Sequence, residues 1–64
     1  MTLKIYSNKT NQIIFKFEIT NEILSNYDIN INNENFQEEF ETEILNDIFE
    51  DYNIESNEVY YSLK

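Results

Sequence analysis

The sequence predicts an α+β fold: a small antiparallel sheet, made of a β-hairpin plus a C-terminal strand, with one long amphipathic helix packed on one face. Three observations predict it. Two runs near the N-terminus alternate apolar and polar residues as strands do, and the last seven residues alternate again. Between them, from about Asn33 to Tyr52, apolar side chains recur every three to four residues. Elements of both periods in so short a chain pack as layers around one core, so residues 1–64 are read as a single acidic domain.

The elements follow in chain order. In TLKIY, residues 2–6, Leu3 and Ile5 face one way and Thr2, Lys4 and Tyr6 the other, which is a short strand. SNKTN is a turn-rich link. QIIFKFEIT then alternates, with Ile13, Phe15, Phe17 and Ile19 on one side and Ile14, Lys16 and Glu18 on the other, so the two strands form a hairpin. Residues 21–31 read two ways. Asn21 could cap a short helix through Leu24, while Tyr27, Ile29 and Ile31 alternate as a strand would.

The helix is carried by Phe36, Phe40, Ile44 and Ile48 at four-residue spacing, with Leu45, Phe49 and Tyr52 widening the apolar arc. Asn35 and Glu38 have the spacing of a capping box, and the acids of the first turn complement the positive end of the helix dipole. Asp51 opposes the dipole at the other end. Asn53 can take the left-handed stop that glycine usually fills, and EVYYSLK closes the chain as a strand with Val59, Tyr61 and Leu63 on one side.

Composition narrows the function classes. There is no cysteine or histidine, which removes disulfides, thiolate nucleophiles, imidazole bases and ordinary zinc sites. There is no glycine either, and so no phosphate-cradling glycine loop. Paired carboxylates for acid/base chemistry need environments that push their pKa values apart, usually in a cleft. Glu38, Glu39, Glu41 and Glu43 are instead crowded along one helix, so no enzyme, no cofactor and no catalytic residue are expected. No charged segment leads into an apolar run and no stretch approaches the ~20 apolar residues of a membrane span, so a cytoplasmic protein is expected.

The formal net charge is -9, and its distribution says more than its size. Every Asp and Glu lies from Glu18 through Glu58, while Lys4, Lys9, Lys16 and Lys64 all lie outside that block. The helix therefore lacks the Glu/Lys pairs at four-residue spacing that ordinary surface helices carry. Four lysines and no arginine disfavour direct nucleic-acid binding. The charge favours a basic partner instead. On a helical wheel Glu39, Glu43, Asn46, Asp47 and Glu50 fall opposite the apolar arc, with same-face carboxylates ~6 Å apart, near the separation of adjacent phosphates along a strand. Glu41 falls within the arc, at the edge of the interface.

The segment YDININNENFQEE raises a metal question. Asp28, Asn30, Asn32 and Glu39 match the first, third, fifth and twelfth positions of a helix-loop-helix calcium loop, but Asn33 stands where that loop needs glycine. A strand running into a helix cap is the favoured reading, and no metal ligand is assigned. Tyr6, Tyr60 and, if residues 21–31 form a strand, Tyr27 fall on the sheet face or edge away from the helix, where tyrosine serves protein interfaces as well as packing. The partner-binding set is accordingly Glu39, Glu43, Asp47, Glu50, Tyr6 and Tyr60. A structural or assembly module using the tyrosine face and the sheet edge is the alternative, self-association into a homodimer could cover that same face, and a calcium module comes after it.

The segment FQEEFETEILNDIFEDY, with the size, acid content and AT-rich residue usage of the whole chain, resembles the small acidic proteins that phages and mobile elements use against host defence. These include anti-CRISPR proteins and DNA mimics. The resemblance implies stoichiometric inhibition of a nucleic-acid-handling or defence protein in the host cytoplasm, by occupation of its basic surface.

Overall fold

The computed structural model describes all 64 residues. Strand β1 (Thr2–Ser7) and strand β2 (Ile13–Glu18) form the hairpin, helix α1 (Asn21–Asn26) follows, then a sixteen-residue helix α2 (residues 36–51), and strand β3 (Val59–Leu63) after a short 3-10 turn at Ser56–Glu58. The three strands make an antiparallel sheet in the order β2-β1-β3, with β1 in the centre. The α+β class and the hairpin-plus-final-strand sheet are as the residue pattern predicts.

Side-chain alternation decides what the sheet buries. Leu3 and Ile5 of β1 point into the core, flanked by Phe17 and Leu63, and by Phe15 and Tyr61, across the two ladders. They join Ile19, Leu24, Ile29, Phe40, Ile44 and Leu45 in one buried cluster, which ties α1 and α2 to the sheet. Each such side chain contributes about 1.5–3 kcal/mol through removal from water, and no polar side chain is buried among them.

The hairpin departs from simple alternation at one point. The register shifts between Ile5 and Tyr6, so that Phe15 faces Ile5, Ile13 faces Tyr6, and Ile14 is the extra residue of a β-bulge. Ile13 was expected on the same side as Phe15. It lies on the exposed side instead, because the bulge resets the parity of the strand.

Residues 21–31 resolve as helix followed by a turn, and the strand alternative for Tyr27, Ile29 and Ile31 does not form. Thr20, not Asn21, is the N-cap: its hydroxyl accepts the Ile23 N–H at 3.2 Å. Helix α2 has three consecutive parts, α-helical at Phe36–Glu39, π-helical at Phe40–Leu45 and α-helical at Asn46–Asp51. The expected Asn35–Glu38 capping box is absent, since Asn35 makes no side-chain cap bond. Asn33 stabilises the entry instead, accepting the Asn35 N–H at 3.0 Å and donating its amide to Glu39 at 3.1 Å. No helix is long and apolar enough to cross a membrane.

Candidate partner-binding face

Helix α2 supplies the acidic residues, and the loop ahead of it determines how they are held. Glu43 and Glu50 are exposed. Glu39 and Asp47 are half-buried, each fixed by a neutral donor: Asn33 donates to Glu39, and the Tyr27 hydroxyl donates to Asp47 Oδ2 at 2.7 Å. That bond, followed by burial and by the charges of Asp47, Asp51 and Glu43, raises the Tyr27 hydroxyl above its ordinary pKa.

Two shallow depressions meet on this side. One, of about 300 Å³, is lined by Asn35, Glu38, Glu39, Thr42 and Glu43; the other, of about 420 Å³, by Asn26, Tyr27, Asp28, Thr42, Glu43 and Asp47. Thr42 and Glu43 belong to both, so Glu38, Glu39, Glu43, Asp47 and Asp28 form one acidic surface. Glu50 lies apart, beside Asn46 and Glu55 near the end of the helix. Asp28 and Glu38 were not among the residues expected here. Asp28 joins the surface because it occupies the left-handed stop of α1, with φ 55°, a role its place in a calcium-like spacing hides.

None of these carboxylates is neutralised by a cation. Of the thirteen Asp and Glu side chains, only Glu18 has one within 4.0 Å, the N-terminal ammonium at 3.4 Å. Glu18 also accepts from the Thr2 hydroxyl at 2.8 Å, and these two bonds lower its pKa, Thr2 first. Glu41, expected at the interface edge, is instead exposed and bonded back to the sheet: its Oε1 accepts from the Tyr61 hydroxyl at 2.9 Å. Burial and then this bond push the Tyr61 hydroxyl up to about 12.

Residues of the calcium-like spacing bond within the chain. Asn30 Oδ1 accepts the Asn32 N–H at 2.9 Å, Asn33 and Glu39 bond each other, and no group of three His, Cys, Asp or Glu side chains is placed to hold a metal ion.

Tyr6 and Tyr60 face each other across β1 and β3 and stack at 5.0 Å with planes 9° apart, the Tyr60 hydroxyl donating to Asn11 Oδ1 at 3.1 Å. They stand on the face opposite Ile5, beside Lys4, which lies between Lys16 and Ser62. Tyr6 and Tyr60 line neither of the two acidic depressions. No protein-family model, curated protein or solved structure matches this chain.

Proposed function

We propose that this protein is a stoichiometric inhibitor that occupies the basic surface of a nucleic-acid-handling or host-defence protein in the host cytoplasm. In this reading α2 lies over one face of the sheet along its whole length and turns Glu38, Glu39, Glu43 and Asp47 outward, with Asp28 beside them. The observation that carries it is the absence of a cationic partner for any of these five groups. Charge left unneutralised on a small domain weakens the fold by self-repulsion, and a partner rich in Lys and Arg would relieve that cost on binding. The same charge steers encounter and occupies the groove that phosphates would enter.

A pull-down from host lysate with a graded salt wash identifies the partner, and its affinity is then measured against salt. The logarithm of the association constant should fall steeply as the logarithm of salt concentration rises. The variant D28N/E38Q/E43Q, which neutralises three exposed members of that surface, should stay folded, lose roughly 100-fold in affinity and show a flatter salt slope. Affinity that ignores both salt and these three substitutions would overturn the proposal.

A further inference from the structure

Strand β2 is the barest part of the sheet. The order β2-β1-β3 leaves two edges, but β3 is half-buried at every residue except Tyr60, with Phe36 and Gln37 beside it. In β2 every residue except Phe15 is exposed. Ile13 is 49%, Ile14 52% and Phe17 37% exposed, and Tyr52, 57% exposed, packs its ring 4.7 Å from that of Phe15. Most of the chain's exposed large apolar side chains therefore gather at one strand.

The backbone of this edge is in phase for pairing. The Ile19 N–H donates to the Met1 carbonyl at 2.7 Å and the Met1 ammonium donates to the Ile19 carbonyl at 3.2 Å, so Ile19 faces β1. By the alternation of an antiparallel ladder, Phe17 and Phe15 face β1 too, while Lys16 and Glu18 turn their N–H and C=O groups away from the sheet. An edge with free backbone groups and an apolar flank is a template for another strand.

We propose that β2 pairs antiparallel with β2 of a second copy about a two-fold axis at Phe17, joining the two sheets into one of six strands. The charges select both the occupant and the register. A two-fold axis at Phe17 sets Lys16 of each copy opposite Glu18 of the other, whereas an axis at Lys16 would set lysine against lysine. The Glu18 side chain is 63% exposed and open to a second cation. The axis also places Phe17 against Phe17 and Phe15 against Ile19 of the second copy, and it keeps both cores on the same side of the joint sheet. Lys16, and Lys4 across the ladder from it, belong to a hairpin with no acid before Glu18, so two copies meet away from most of their carboxylates.

Sedimentation equilibrium and native mass spectrometry of the full chain at about 150 mM salt test the pairing. A dimer is expected. K16E should raise its dissociation constant by at least about tenfold, and the swap K16E/E18K, which rebuilds the ion pair in reverse, should recover it to within about threefold. K16P supplies a second arm, because it removes an outward N–H and leaves the ladder to β1 intact; circular dichroism should show it folded, and it should be monomeric. A protein that stays monomeric at millimolar concentration overturns the proposal. So does a dimer indifferent to K16E and K16P, or a folded swap variant that remains monomeric.

Discussion

Asp28 and Asn53 share a backbone conformation that most side chains resist, with φ of 55° at each. Each ends a helix in the same way. After α1 the Asp28 N–H bonds Ser25 O and the Ile29 N–H bonds Leu24 O; after α2 the Asn53 N–H bonds Glu50 O and the Ile54 N–H bonds Phe49 O. This is the Schellman pattern, and the apolar pairs Leu24/Ile29 and Phe49/Ile54 accompany it. In a chain with no glycine, Asn and Asp take the left-handed position because their short side chains tolerate it better than other residues do. Asn53→Ala and Asp28→Ala should each cost about 1 kcal/mol in urea unfolding, since alanine brings the left-handed penalty without that tolerance. The glycine variants should stay within a few tenths of the parent, because the relief of φ is offset by the freedom glycine adds to the unfolded chain. Equal losses for alanine and glycine would assign the effect to the side chains instead.

At the scale of elements, what was legible depended on whether a local period survives packing. The strand at β1, the final strand and the Asn53 stop were readable, since each is fixed by neighbours in sequence. The bulge in β2 was not. Ile13, Ile14 and Phe15 are three apolar residues in a row, so inserting one extra residue leaves no mark on the alternation. The π-helical turn in α2 was hidden in a similar way. A four-residue apolar repeat runs ahead of a 3.6-residue turn by about 40° per step, and one wide turn returns it, so that Phe40, Ile44 and Leu45 are all buried. Thr42 favours that turn by donating its hydroxyl to the Glu38 carbonyl at 2.8 Å. Of the residues the helical wheel turned outward, Glu43 and Glu50 are exposed while Glu39 and Asp47 are half-buried, and Glu41, set within the apolar arc, is exposed; the donor Tyr27 comes from the segment 21–31, whose two readings sequence could not separate. The Glu41–Tyr61 bond between α2 and β3 has a consequence in alkali. The folded chain holds the Tyr61 hydroxyl protonated, with a pKa of about 12 against an ordinary value near 10. A group raised in this way stabilises the fold in full below pH ~10 and loses that contribution as pH climbs through about 12. Urea midpoints should therefore fall over that interval, Tyr27 adding in the same direction, and Tyr61→Phe should flatten the fall.

For the whole molecule the controlling quantity is a net charge of -9 within extents of 33 × 21 × 19 Å. The screening length is about 30 Å at 0.01 M salt and about 3 Å at 1 M. In dilute buffer, then, the carboxylates repel one another across much of the protein, and in strong salt they do so only at near contact. Screening has little attraction to remove in exchange, because the one ion pair joins Glu18 to the N-terminus at the surface. Added sodium chloride should consequently raise stability, by about 1 kcal/mol over that range, or roughly 4–8 °C in melting temperature for a domain of this size. Partner binding through the same carboxylates should weaken over that same range, so the two salt effects have opposite signs and are separable in parallel titrations. D28N/E38Q/E43Q should melt higher than the parent in dilute buffer and gain less from salt. If it melts lower instead, those three carboxylates contribute to holding the fold together, and their exposure is not that of groups kept for a cationic partner.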